Sequence, residues 1–431
     1  MDEHRDVIID RLGSRGDGVA DTVDGSIYVP FALPGETWRV PLYDQAAARP
    51  VMMTASADRT CDVCAHFTAC GGCVAQHMPS DLYVDWKREL VVEALGHNGI
   101  TADVRPCIPT EAASRRRTIL TAKRGLTSVM LGYHRRGAHE LVDVTMCPVV
   151  VREIADRLDG LRALATQLLA PGETLRLTVV AAREGLDVTA DAPRSPAYAE
   201  AQALLAQRAD DAGLVRLTVN GATMFQTSQP TLQVGDIAVP FPPGVFLQAS
   251  AAAEQKMVAL VTAAVGNAEF VADLFCGLGT FAVALARHAR VRAVDTDATA
   301  LAALDDGLRR AQGRKAVSCV RRDLFREPLS RPELKDFDAV VFDPPRAGAK
   351  AQAEMIAKSA VPKVIAVSCN PGTFARDARI LIDGGYALET VVPIDQFVYS
   401  EHVEVVASFR RAPQRIRGQH ARAARAFRRR R

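Results

Sequence analysis

Long apolar runs are absent from this 431-residue chain. No uninterrupted stretch approaches the ~20 residues that span a bilayer, and the opening MDEHRDVIID carries early acids in place of an apolar signal core. The expectation is a cytoplasmic protein with no membrane partner. Aromatic residues are scarce at 6%, yet hydrophobic residues reach 48%, an ordinary soluble composition whose length suggests two to four domains. Nine cysteines are too few for a disulfide scaffold over this length. In a reducing compartment a local group of them serves metal binding or catalysis instead. Acids are missing from one segment: Arg410 to Arg431 holds ten arginines and no Asp or Glu, which leaves residues 1 to 409 at −7 against a total of +3. Such local basicity implies an anionic partner met at patches, or a solvated disordered tail.

No internal repeat is apparent. Residues 5 to 45 alternate polar and β-branched residues around five glycines, the pattern of a small all-β barrel. The runs RLGSRGDGVA and IYVPFALPGETWRV resemble a TRAM domain, a five-stranded OB-like module that binds RNA. Helical spacing follows in LYVDWKRELVVEALGHNG. From about 105 to 240, short strands interrupted by Ala-rich helices predict a mixed α/β domain. From 250 onward, alternating strands and helices predict a parallel, doubly wound, Rossmann-like sheet. The expected division is a barrel over 1–58, a cysteine segment over 59–80, a mixed RNA-binding domain over 81–240, a catalytic domain over 241–410 and a basic tail over 411–431. Within the mixed domain Arg115, Arg116, Arg117, Lys123, Arg124, Arg135 and Arg136 alternate with β-formers and Tyr133, as expected of strands that lay cations against phosphates; a solvated hairpin face gives the same pattern.

Three constellations carry chemistry. Cys64, Cys70 and Cys73 read C-x5-C-x2-C, and Cys147 supplies a fourth thiolate that only folding brings near. Four thiolates suit zinc or an iron–sulfur cluster equally. Cys61 adds a second C-x2-C pair, but the separation is too short for a zinc ribbon. VADLFCGLGTFAVALA has the form of a strand, a glycine loop and a helix. Asp295 ends the next strand about 20 residues on, where a carboxylate accepts from ribose hydroxyls, and Asp323 is placed to hold an adenine amino group. Asp343 ends a further strand in DPPRAG, and this series of acid-tipped strands points to S-adenosylmethionine. Arg346 stands after Pro-Pro where enzymes that methylate amino groups place an aromatic, so the target atom is expected to be carbon. The third constellation is Cys369, delivered by the apolar run VPKVIAVS into a turn attributed to Pro371 and Gly372. C5 of uracil is a poor nucleophile until a thiolate adds at C6, after which a base must remove the C5 proton. Cys369 suits the first role. Glu404 suits the second, on one strand face with His402, while Glu401 and His402 are the lesser candidates.

Together DLFCGLGTF, DPPRAG, SCNPGTFARD and HVEVVASF resemble the RNA uracil-C5 methyltransferase family, and CAHFTACGGC with MCPVV resembles its iron–sulfur members. The resemblance implies a [4Fe-4S] cluster on Cys64, Cys70, Cys73 and Cys147, with Cys61 spare. It implies donor contacts at Gln248, Phe275, Thr280, Asp295, Asp323 and Asp343, with Cys369 as nucleophile and Glu404 as base. Thr280 stands where Asn is frequent and Asp295 where Glu is frequent. Members with both barrel and cluster are similar to enzymes of 23S ribosomal RNA, so that RNA is the expected partner, transfer RNA the alternative, and no obligate protein partner is evident. A non-catalytic RNA-binding protein is the reading from a different class. A 5-methylcytosine enzyme is disfavoured because DPPR lacks the second thiol of that chemistry.

Overall fold

The computed structural model describes residues 4–41, 49–194 and 199–412. All but the first two residues of the expected 411–431 tail lie outside the described residues. The N-terminal alternation folds into two three-stranded antiparallel sheets, one of His4–Ile8, Thr37–Pro41 and Val51–Thr54, the other of Arg11–Leu12, Gly18–Thr22 and Gly25–Val29. Where five strands were expected there are six short ones among the described residues, because Val51–Thr54 adds to the edge of Thr37–Pro41. Val7, Ile9, Ala20, Val29, Ala32 and Val40 form their core. Gly18 is required by close approach: a Cβ there would lie 2.7 Å from the Cβ of Ala32.

A seven-stranded sheet follows, in the spatial order Ala222–Gln226, Leu214–Val219, Leu186–Asp191, Thr174–Ala181, Arg117–Arg124, Val129–His134 and Leu141–Asp143. Helices Leu158–Leu168 and Ala199–Asp211 cover one face, where Leu161, Leu164 and Leu205 pack with Leu120, Leu177 and Val188. The period-2 alternation of Arg117–Arg124 buries Thr118, Leu120 and Ala122 and leaves Arg117, Ile119, Thr121 and Lys123 on the other, open face.

The C-terminal half is the expected doubly wound sheet. Its strands are β1 (Phe270–Leu274), β2 (Arg290–Asp295), β3 (Val317–Arg321), β4 (Ala339–Phe342), β5 (Lys363–Ser368), β6 (Tyr386–Ile394) and β7 (Glu404–Arg411), in the spatial order 3-2-1-4-5-7-6. The first five are parallel, and β7 runs antiparallel to both neighbours. Helices bury both sheet faces, which explains why Val340, Val341, Val364 and Ile365 form continuous apolar runs with no exposure.

Between β6 and β7 the chain crosses over residues 395–403, and the N-terminal helix Ser80–His97 clamps this crossover. Lys87, fully buried, places its Nζ 2.9 Å from Asp395 Oδ1, a charge contact without hydrogen-bond alignment at that oxygen. The same Nζ donates to the carbonyls of Phe397 and His402. Tyr83 donates its hydroxyl to Asp395 Oδ2 at 2.6 Å and accepts from the Tyr399 amide at 2.8 Å. Among the described residues no helix is long and apolar enough to cross a membrane.

Removing one partner of a buried ion pair strands the other charge, at a cost of about 3–5 kcal/mol. Lys87→Met is therefore expected to lower unfolding stability in urea by that amount. Arg309→Ala, which breaks exposed helix pairs, is expected to stay within about 1 kcal/mol; equal losses would show that the clamp contributes nothing special.

Candidate active site

The carboxyl ends of β1 to β5 open into one cavity of about 720 Å³, the position where ligands bind in open α/β sheets. Gln248, Phe275, Thr280, Asp295, Asp323, Asp343, Cys369 and Glu404 all line it. After β1 the chain turns through Phe275, Gly277 and Gly279 with φ of 62°, 52° and 86°. Glycine is needed at 279 on two counts, since a Cβ there would also fall 2.4 Å from Leu304. The Gly277 amide donates to Asp295 Oδ2 at 2.9 Å and the Asp297 amide to Oδ1 at 2.9 Å, which fixes the loop to the tip of β2. Asp323 follows β3, where Phe325 packs its ring 5.4 Å from Phe275. Two carboxylates and an aromatic pair suit the ribose and purine of a nucleoside donor.

Cys369 directly follows β5. The turn comes from Asn370, whose Oδ1 caps the helix Pro371–Asp383 by accepting from the Gly372 amide at 3.0 Å. Pro371 takes the first helical position and Gly372 already lies in the helix, so the sequence reading of a Pro-Gly turn gives way to an Asn cap. Burial pushes the Cys369 thiol up to about 11; the charges of Glu404 and Asp343 push the same way, and Arg346 opposes them.

Glu404 is the first residue of β7 and is 1% exposed. His402 precedes the strand and lies in the same cavity, its Nε2 against the Arg346 guanidinium. Burial and Arg346 shift His402 down toward neutrality. Burial and then the Asp343 charge push Glu404 well above the usual carboxylate range, and Asp343 is itself raised by burial. Amides join the two carboxylates. Gln248 Nε2 donates to Asp343 Oδ2 at 2.9 Å, while Gln396 Nε2 donates to Gln248 Oε1 at 2.8 Å and to Glu404 Oε2 at 2.9 Å. Sequence reasoning missed Gln396, whose only signal is a polar Asp-Gln pair after the apolar TVVPI. It also missed Phe246, 66% exposed at the rim with the Arg117 guanidinium 5.9 Å from its ring.

The expected cation patch is smaller than its sequence. Arg116 pairs with Glu254 at 2.6 Å, Arg135 with Glu140 at 2.9 Å and Arg136 with Asp17 at 2.6 Å. Arg124 donates to the Thr166 and Leu169 carbonyls. Among the described residues Arg115, Arg117 and Lys123 have no ion pair, and Arg115 and Arg117 stand at the cavity.

The cysteine segment packs against the hairpin that precedes Cys147. Gly71 donates to the His134 carbonyl at 2.9 Å, and a Cβ on Gly71 would lie 2.7 Å from that oxygen. His66 Nε2 accepts from the Thr145 amide at 3.0 Å, and the Gly72 amide donates to Cys70 Sγ at 3.4 Å. Cys73 is acted on by the charges of Cys147, Cys70 and Cys64, and Cys70 by those of Cys147 and Cys64, so the four thiols share one region. Cys61 is exposed. Among the described residues no three His, Cys, Asp or Glu side chains converge as a metal ion requires. Four thiols are the donor type of an iron–sulfur cluster and of a zinc site alike.

The family described as tRNA (Uracil-5-)-methyltransferase matches residues 315–411. An uncharacterized RNA methyltransferase of Brucella suis is 48% identical over 93% of this chain and 96% of its own length. The 23S rRNA (uracil(1939)-C(5))-methyltransferase RlmD of Pectobacterium atrosepticum is 31% identical over 94% of this chain and 93% of its own. Among solved structures, the Pyrococcus abyssi tRNA (uracil-54, C5)-methyltransferase in complex with S-adenosyl-L-homocysteine superposes with a TM-score of 0.72 at 23% identity, over 94% of this chain and 99% of that one. That likeness establishes the fold.

The electrostatics predict the behaviour of the free thiol. Alkylation of Cys369 in the ligand-free protein should rise with pH through an apparent pKa near 11. Asp343→Asn and Glu404→Gln each remove a negative charge and should lower it, whereas Arg346→Ala should raise it further. Rapid alkylation at neutral pH with no response to these substitutions would contradict the charge assignment.

Proposed function

This chain belongs to the RNA uracil-C5 methyltransferase family and is an RNA methyltransferase, and within that family we propose that it transfers a methyl group from S-adenosylmethionine to C5 of one uridine in 23S ribosomal RNA. The observation that carries the proposal is the meeting of Cys369, Glu404 and the acid-tipped loops in one cavity. Gln248, Phe275, Thr280, Asp295, Asp323 and Asp343 would hold the donor, which when bound supplies an electrophilic methyl group and a positive charge. Cys369 Sγ gives up its proton to solvent and bonds to C6 of the uracil, electron density moves to C5, and C5 would take the methyl group as the bond of that group to the donor sulfur breaks and a neutral thioether leaves. Glu404 then removes the C5 proton, the Sγ–C6 bond breaks, and the thiolate is released. Glu404, buried and raised, is a stronger base once ionised than a solvated carboxylate.

The target must leave its stack for both faces of C5–C6 to be reached. Phe246 offers an exposed ring at the rim, and Arg115 and Arg117 stand free for the neighbouring phosphates. The 31% identical relative acts on 23S ribosomal RNA, which favours that target over transfer RNA. Cys64, Cys70, Cys73 and Cys147 are proposed to hold a [4Fe-4S] cluster with a structural role. Val74 and Ala75 donate their amides to the Tyr399 carbonyl at 2.7 and 3.2 Å, which ties that segment to the 395–403 crossover. Iron and sulfide in a brown protein would support the cluster; one zinc per chain without colour would overturn it.

With labelled donor, label should enter C5 of uridine in undermethylated 23S RNA, and Cys369→Ala should abolish this while RNA binding survives. Glu404→Gln should accumulate a methylated covalent RNA adduct. Label in transfer RNA alone would overturn the target, and no label in either RNA would overturn the reaction.

A further inference from the structure

A buried base needs something to aim it and to keep its ionised form within reach, and Glu404 has one side chain placed for both. Gln396 is 3% exposed and lies in the crossover that the Lys87 clamp holds. Its Nε2 carries two hydrogens. One points to Gln248 Oε1 at 2.8 Å and the other to Glu404 Oε2 at 2.9 Å. Gln248 passes its own amide to Asp343 Oδ2 at 2.9 Å. Four side chains from four separate chain segments thus form one line across the cavity, from the carboxylate at the end of β4 to the carboxylate at the start of β7.

We propose that Gln396 is a positioning residue for the proton-removal step: it fixes the Glu404 carboxylate toward the substrate carbon and, through Gln248, holds it in register with Asp343. The inference rests on the uracil-C5 reading of the site. The orientation of the amide is set by its partners, since both acceptors require the nitrogen on that side. A donor facing a carboxylate favours the ionised form, and here it opposes burial and the Asp343 charge, which favour the protonated one. Besides Glu404 and Asp343 the cavity wall carries the ionisable side chains of Cys276, Cys369, His402, Arg115, Arg116, Arg117, Arg346, Glu254, Asp295, Asp297 and Asp323. None of them is a hydrogen-bond partner of Glu404 among the described residues, so there its ionised form has Gln396 alone to support it by a side-chain hydrogen bond.

The two half-reactions should therefore respond differently to loss of this amide. Thiol addition and methyl transfer use Cys369 and the donor site, and elimination uses Glu404. Gln396→Met keeps the side-chain length and removes both donors. Its kcat should fall by roughly tenfold to a hundredfold, with the KM for RNA within about threefold of wild type. The methylated Cys369–RNA adduct, transient in the wild type, should persist on a denaturing gel. The pH of half-maximal turnover should move upward, because the base then ionises later, so activity should partly return in alkaline buffer. Gln396→Asn, which keeps a donor on a shorter arm, should fall between the two. A variant that slows with no adduct and an unmoved pH profile would place the defect before elimination and overturn the proposal, as would an unchanged kcat. If the wild type methylates no uridine in any RNA, the reading of the site fails first and the proposal fails with it.

Discussion

The buried contact of Lys87 with Asp395 is the constraint on which the rest of the site hangs. A lysine with no exposure costs several kcal/mol of desolvation unless its charge is met, and here it is met by one carboxylate and two carbonyls of the 395–403 crossover. The helix Ser80–His97 is thereby fixed to the C-terminal sheet, more than 300 residues away in sequence. The crossover it fixes carries Gln396 and His402 and delivers Glu404 to the first position of β7. Tyr83 and the cysteine segment add bonds to the same stretch at Tyr399, which sits at a φ of 61°. An irregular connection is made rigid from outside, as the proposed role of Glu404 as base requires.

Inside the cavity the dominant fact is a pair of buried carboxylates, Asp343 and Glu404, that form no ion pair among the described residues. Glu404, Asp343 and the buried Asp273 are all pushed toward the neutral form by burial, and Asp343 raises both of the others. Arg346 is the cation that opposes them at Cys369. Such a site favours a positively charged small molecule, and a sulfonium donor meets that description. Burial is the first cause of the raised Cys369 thiol, and the Glu404 and Asp343 charges add to it; under the proposed reading a cationic donor would relieve that second contribution.

The sequence reading and the structure agree most where function depends on short, local chain geometry. A strand, a glycine loop and a helix put Phe275, Thr280 and Asp295 on one rim, and a strand end put Cys369 there, because parallel strands deliver their ends to one edge of a sheet. Agreement fails where a residue's role is decided by a distant partner. Arg116 and Arg136 look like part of a phosphate patch until folding brings Glu254 and Asp17 beside them. Lys87 looks like a solvated helix residue until Asp395 meets it, and Gln396 has no local signature because its meaning lies in Gln248 and Glu404. The Cys369 turn falls between these cases: its place was legible, but its cause is the Asn370 cap, a side-chain bond that Pro-Gly statistics conceal.

The central claim is covalent: sulfur of Cys369 bonds to C6 of a uracil while Glu404 waits to take the proton from C5. A short RNA carrying 5-fluorouridine at the target position tests it most directly, because fluorine at C5 cannot be removed as a proton and the elimination stops. Incubated with S-adenosylmethionine, the protein should form a complex that survives denaturation, and peptide mass mapping should find one methylated fluorouridine attached to Cys369. Failure to form any such complex with RNA that the protein binds and methylates in its unfluorinated form, or attachment at another residue, would contradict the account.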